Sequence, residues 1–161
     1  MTDRVLLTKL GAQALHRELR QLKSEERPKI ISAIAEARAH GDLSENAEYH
    51  AAKEQQGLIE ARIKKLESNL SVAEVIDPAK IARDDRVVFG ASIELYDVNR
   101  EVSVSYQLVG NLEADITNGK ISISSPIGKA LLGKSVGDEV EVSTPNGPRL
   151  YEILSTRYDS Q

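Results

Sequence analysis

The chain has 161 residues, 21 Lys and Arg against 25 Asp and Glu, a formal net charge of −4 and no Cys. That length supports one domain or two small ones. The lack of cysteine excludes a disulfide frame, a thiol nucleophile and a thiolate metal site and fits a reducing compartment, while the acidic balance gives no footprint of a strongly basic nucleic-acid binder. No stretch approaches the roughly 20 apolar residues that span a bilayer, and residues 1–9 hold no apolar run of signal-peptide length, so a soluble, cytoplasmic protein without a membrane partner is expected.

Thr8 is the natural N-cap of a first helix carrying Leu15, Leu19 and Leu22, then Ile30, Ile34 and Ala37. A second helical segment carries Ile59, Ile63, Leu66, Leu70 and Ala73 at alternating spacings of four and three, the narrow apolar seam of a coiled coil. If the chain folds back between them, residues whose numbers sum to about 85 face one another, pairing Leu15 with Leu70, Leu19 with Leu66, Leu22 with Ile63 and Ile34 with Ala51. Helices of roughly 30 residues give an arm on the order of 45 Å long. Pro28 removes a backbone donor and predicts a kink. Glu25, Glu26 and Arg27 stand beside it where the seam wants apolar groups. Towards the turn the seam narrows to the small residues Ala37, Ala47 and Ala51, so a slim tip is expected.

The turn lies in Ala39-His40-Gly41-Asp42-Leu43-Ser44-Glu45-Asn46-Ala47-Glu48-Tyr49-His50. Gly41 can end the first helix because it takes a positive φ at low cost. Asp42 followed three residues on by Glu45 reads as a capping box for the second helix. The same spacing puts two carboxylates at the end of an arm. They can be caps only. Alternatively, as hard oxygen donors, they can complete the shell of a Mg²⁺ ion held chiefly by another protein, since Mg²⁺ needs only one or two protein carboxylates. His40 and His50 flank the acids, but their spacing matches no compact zinc pattern. Asn46 and Tyr49 are read as hydrogen-bonding and packing groups.

Basic residues along the arm (Arg17, Arg20, Lys23, Arg27, Lys29, Arg62, Lys64, Lys65) are balanced by Glu18, Glu25, Glu26, Glu60 and Glu67, as on an ordinary solvated coiled coil. Arg38 and Lys53 lie nearer the turn and are the candidates for weak electrostatic contact with a nucleic-acid backbone.

Near Pro78 the period changes from helical to alternating and the charge changes with it. Residues 1–76 hold 12 Lys and Arg against 12 Asp and Glu, whereas 77–161 hold 9 against 13. The boundary is therefore placed between 76 and 77. Strands are predicted at Ala91–Val98, Val102–Val109, Lys120–Ser124, Glu139–Ser143 and Leu150–Arg157, with turns at Asn99-Arg100 and Thr144–Pro148. A short helix starts at Ser125-Pro126 and ends at Gly133. The result is a small antiparallel sheet with one packed helix. Asp84, Asp85, Asp115 and Asp138 fall in predicted turns. All three histidines lie in the first half, so no Ser or Asp of the second half has a nearby base.

The segment Ala33–Gln56, with its Gly41-Asp42-Leu43-Ser44-Glu45-Asn46-Ala47-Glu48-Tyr49 centre, closely resembles the hairpin of the GreA/GreB transcript cleavage factors, and is closer to GreA. Ser124-Ser125-Pro126-Ile127-Gly128-Lys129-Ala130-Leu131-Leu132-Gly133-Lys134 and Gly137-Asp138-Glu139-Val140 resemble the second signature of that family. The resemblance spans essentially the whole chain. It implies an α+β protein: a coiled-coil hairpin over 1–76 with an acidic tip at 40–46, and an FKBP-like β domain over 77–161 that docks on RNA polymerase. The hairpin would enter the secondary channel of backtracked bacterial RNA polymerase. There Asp42 and Glu45 match the family's tip acids, which help hold the second Mg²⁺ while the polymerase hydrolyses the nascent RNA near its 3′ end. The chain would then be an accessory factor rather than an enzyme. Ser44 stands at a tip position that takes Lys in some relatives, which bears on tuning of the tip. Relatives that inhibit have altered tips, whereas both acids are present here. Two other readings of the residues are a prolyl isomerase or chaperone module with a coiled-coil arm, and a structural adaptor. Against the isomerase stands the scarcity of aromatics in the second half, where Phe89 is the one Phe and Trp is absent.

Overall fold

The computed structural model describes residues 5–81 and 85–158. Asp84, one of the acids expected in a turn, lies outside them. The fold class is α+β, in two compact units: residues 12–72, and residues 1–11 with 73–161.

In the first unit, α1 (Lys9–Gln21), a π-helical turn (Leu22–Glu26) and α2 (Arg27–Arg38) run antiparallel to α3 (Ala47–Val72). Along α3 one shielded stripe runs through Tyr49, Ala52, Gln56, Ile59, Ile63, Leu66 and Leu70 in an unbroken alternation of three and four, with Arg62 and Asn69 half-buried beside it; Ile59, Ile63 and Leu66 are buried. Ala47 and Ala51, expected in the seam, are exposed. Counting back from Ile59 in heptad phase reaches Gln56, Ala52 and Tyr49, so phase rather than side-chain size decides which residues face inward. Ala37 is buried as expected. Three cross-helix ion pairs stand beside the seam, Glu18–Arg62 at 2.7 Å, Lys23–Glu67 at 3.0 Å and Arg27–Glu60 at 2.8 Å. Their numbers bracket the predicted register.

The expected kink at Pro28 takes the form of the π-turn directly before it. Arg27 N–H bonds to the carbonyl of Leu22, five residues back, and the Ser24 hydroxyl donates to the Arg20 carbonyl at 2.7 Å. Pro28 cannot donate and its ring crowds the carbonyl four residues earlier, so the wider turn relieves the ladder without ending the helix. Arg27, out of place in an apolar seam, makes a two-pronged bond to Glu60 at 2.8 Å on each prong.

In the second unit, β1 (Val5–Thr8) pairs in parallel with β2 (Ala73–Ile76). The segments flanking the hairpin thus pack with the C-terminal half, and the grouping departs from a cut between 76 and 77. α3 also ends one residue before Ala73, which the helical pattern had included. Thr8 caps α1, its Oγ1 accepting Gly11 N–H at 3.1 Å. Thr8 in turn donates N–H and Oγ1–H to the two carboxylate oxygens of Glu113, at 2.5 and 2.7 Å. Gly110 lies so close to β1 that a Cβ there would meet the Leu6 carbonyl oxygen at 2.1 Å.

The five-stranded sheet has the order β5-β4-β3-β7-β6. Its strands are β3 (Ser92–Asp97), β4 (Val102–Val109), β5 (Lys120–Ser122), β6 (Glu139–Thr144) and β7 (Gly147–Arg157), with α4 (Pro126–Leu131) between β5 and β6. Alternation sends Ile93 and Leu95 of β3 into the core with Leu108, Ile121, Leu131, Val140, Val142 and Ile153, leaving Glu94 outside. The sheet is mixed rather than antiparallel, because β5 lies parallel to β4. The 3-10 turn Ile116–Asn118 and Gly119, at φ 72°, lead into it. α4 has the expected start, Ser125 Oγ accepting Gly128 N–H at 3.1 Å with Pro126 in the first turn, and Gly133 follows it at φ 84°.

Candidate functional site

The sequence features left unexplained by core formation converge on the turn between α2 and α3. α2 ends at Arg38, and Gly41 follows with φ 121° in open space, since nothing lies within 4 Å of where its Cβ would be. Leu43–Glu45 then form one 3-10 turn with Asp42 as its N-cap. Asp42 Oδ1 accepts both Ser44 N–H at 3.0 Å and Ser44 Oγ–H at 2.9 Å. The expected capping box is not formed: Asp42 caps the 3-10 turn, and the cap of α3 is Asn46, whose Oδ1 accepts Tyr49 N–H at 3.0 Å. The insertion of a 3-10 turn moves the cap of the helix four residues on, from Asp42 to Asn46. Asp42 and Glu45 are thereby released from capping α3.

Both acids are exposed, and they line one shallow open concavity with His40, Asn46, Ala47 and Glu48. The two hydrogen bonds from Ser44, backbone first and hydroxyl second, hold the Asp42 carboxyl below its ordinary value. Asp42 is therefore ionised at neutral pH, with Oδ1 occupied and Oδ2 free of hydrogen bonds among the described residues. The Glu45 carboxylate accepts no hydrogen bond among the described residues. Hard, ionised oxygen donors with unused lone pairs fit a cation such as Mg²⁺ that keeps most of its waters and takes one or two protein carboxylates. No cluster of three or more His, Asp or Glu side chains arranged to hold a metal occurs among the described residues.

His50 Nε2 lies 3.3 Å from the Ser44 carbonyl oxygen, and its ring meets Tyr49 edge-on at 5.6 Å. The imidazole thus buttresses the turn from α3. His40 lines the concavity, and His16 lies exposed on α1, well before the turn in sequence. Arg38, in the last turn of α2, is exposed; Lys53, exposed on α3, donates to Gln56 Oε1 at 3.2 Å.

The family described as "Transcription elongation factor, N-terminal" matches residues 5–75, and "Transcription elongation factor, GreA/GreB, C-term" matches residues 82–158. The chain belongs to the GreA/GreB transcription elongation factor family. Among its GreA/GreB relatives, the transcription elongation factor GreA of Nitrosococcus oceani is 54% identical, over 97% of this chain and 99% of that protein. The GreA of Xanthomonas axonopodis pv. citri is 56% identical, over 96% and 98%. Similar solved structures include GreA factor homolog 1 (Gfh1) of Thermus thermophilus, 32% identical over 96% of this chain and 99% of that one, with a TM-score of 0.44. The GreA/GreB factor from Nitrosomonas europaea is 23% identical over 98% and 100%, with a TM-score of 0.43. No helix among the described residues is long and apolar enough to cross a membrane.

Two features of this GreA/GreB tip were not evident from residue type alone. Ser44, read as a tuning position, is the group that fixes Asp42. Glu48 joins the acids around the concavity because α3 begins at Ala47 and places it in the first turn. An Asp followed two residues later by Ser at a turn is the signal for the first, since Asp side chains bond backbone two residues on.

Proposed function

We propose that this protein is an accessory factor that binds backtracked bacterial RNA polymerase, extends its hairpin into the secondary channel and stimulates the polymerase's own cleavage of the nascent RNA near the 3′ end. Membership of the GreA/GreB family supports the partner. The observation that carries the mechanism is that Asp42 and Glu45 are both exposed at the turn and neither caps the following α-helix.

Asp42 and Glu45 are the residues that would share a Mg²⁺ ion with the polymerase's acidic residues. Such an ion, when bound, supplies Lewis-acid activation of water for phosphodiester hydrolysis. The chain's own contribution is positional. Ser44 holds one oxygen of Asp42 and keeps that carboxyl ionised, so its second oxygen can bind without rotamer rearrangement. Glu45, one 3-10 turn further on, supplies the second carboxylate. Arg38 and Lys53 are proposed to make weak contacts with the nucleic-acid backbone, which would be screened by salt.

The test uses stalled, backtracked elongation complexes with Mg²⁺ and gel analysis of the RNA. Addition of the protein shortens the transcript. Asp42→Ala and Glu45→Ala abolish the effect yet still compete with the wild-type protein for polymerase, and keep its far-ultraviolet dichroism because Asn46 caps α3. Cleavage that survives both substitutions, or loss of binding together with cleavage, refutes the reading.

A further inference from the structure

We propose that Asn46 is a positioning residue for the two tip acids, bridging α2 and α3 through the two ends of one side chain. The inference rests on the proposed role of Asp42 and Glu45. Asn46 Nδ2 donates to the Ala37 carbonyl oxygen at 2.7 Å, while Oδ1 accepts Tyr49 N–H at 3.0 Å. Its backbone N–H reaches the Leu43 carbonyl at 3.5 Å, and its carbonyl accepts His50 N–H at 3.1 Å. The last turn of α2, the 3-10 turn and the first turn of α3 thus meet at one residue.

Little else fixes that junction. Ala37 is the sole buried hydrophobic residue within ten positions of the turn among the described residues, at 3% exposure, and the first buried residue of α3 is Ile59. Alanine seats carry few dispersion contacts. Gly41, on the entry side, sits at positive φ with nothing nearby to restrain it. The Asp42–Ser44 bonds stiffen the turn internally but do not attach it to either helix. His50 Nε2, 3.3 Å from the Ser44 carbonyl oxygen, meets the turn from α3, and the Nδ2 bond is its side-chain attachment to α2. Without the Nδ2 bond the two carboxylates remain present and exposed but lose a defined place relative to α2.

Asn46→Ser and Asn46→Asp both keep an oxygen acceptor for Tyr49 N–H, so α3 stays capped, and both remove the Nδ2 donor. In the full-length protein, ¹⁵N relaxation is expected to show order parameters of Leu43–Glu45 falling from the rigid range near about 0.85 towards about 0.6, with Ile59–Leu66 unchanged. With backtracked complexes, the cleavage rate at saturating factor falls about tenfold or more, the half-saturating factor concentration stays at the wild-type value, and the Mg²⁺ requirement rises. A half-saturating concentration that rises as the rate falls assigns Asn46 to polymerase binding and overturns the proposal. So does an unchanged saturated rate or an unmoved set of order parameters. Asp42→Ala and Glu45→Ala run in parallel separate the two levels: if those controls keep full cleavage, the role of the acids fails, whereas the order parameters still report on the bridge.

Discussion

Truncating Leu66 to Ala tests whether the α3 seam is what holds the hairpin together. Leu66 is 1% exposed and flanked on the same stripe by Ile63 at 2%, so the deleted methyl groups leave a cavity as well as lost transfer energy. Leu→Ala at such sites costs about 2.7–5 kcal/mol. Two helices can close on a void more readily than a full core, so the lower end, about 3 kcal/mol, is expected here. Leu58, 62% exposed on the same helix, is the matched control, and Leu58→Ala is expected to stay within about 0.5 kcal/mol. Urea denaturation followed by far-ultraviolet dichroism reads the difference, because α1, α2 and α3 supply most of the helical signal. Equal costs for the two substitutions, or a cost below about 1 kcal/mol at Leu66, would refute the assignment of Ile59, Ile63 and Leu66 as the hairpin's holding contacts.

Other outcomes follow from single contacts. The Arg62 guanidinium, bonded to Glu18 at 2.7 Å, holds the Glu18 carboxyl below its ordinary value of 4.5. That stabilisation is present above pH 4.5 and is lost as pH falls through the depressed folded value. The wild type should therefore exceed Glu18→Gln by no more than about 0.5 kcal/mol at neutral pH, given the pair's exposure, and the gap should close in acid; a gap that widens in acid contradicts it. Gly41→Ala should destabilise the hairpin by about 1–2 kcal/mol in thermal melts, through the positive φ alone, since its Cβ meets nothing. Gly110→Ala should cost about 2–3 kcal/mol in urea melts, because its Cβ would collide with the backbone oxygen of Leu6; a neutral outcome would mean β1 does not approach there.

Much of this architecture was legible because it depends on period. Alternation marked the five strands of the large sheet, and the spacing of three and four marked α3. What periodicity could not supply was partner choice. β1 and β2 are four-residue strands that pair across the full length of the hairpin, and short apolar runs carry no information on whom they join. β5 is parallel to β4 for a similar reason: three residues fix no direction, and the 3-10 turn before them does. The π-turn did leave a trace. Leu22 and Ile30, both on the inward face, are eight residues apart instead of seven, and the wider turn absorbs the extra residue. Pro28 pointed to the place but not to the form.

At the tip, composition was informative and geometry was hidden. Asp at one position and Glu three later is the signature of a helix cap, and the same letters serve a different purpose once a 3-10 turn intervenes. The competing cap was Asn46, equally favourable at a helix start, and its second end reaches the Ala37 carbonyl of α2, which also accepts His40 N–H at 3.1 Å. A hairpin that narrows to alanine has too little apolar contact to define its own end, so polar bonds must. Those bonds use Asn46, Ser44 and His50, which leaves Asp42 with one oxygen and Glu45 with its whole carboxylate uncommitted. Asp42 commits one oxygen to the 3-10 turn and Glu45 commits none among the described residues, so both keep oxygen donors unused where the fold is thinnest, as the proposed sharing of a metal ion requires. Holding the turn thus falls to Asn46, Ser44 and His50 with one oxygen of Asp42, whereas the Glu45 carboxylate takes no part in it among the described residues, and that makes Glu45→Ala the cleaner probe of the proposed chemistry.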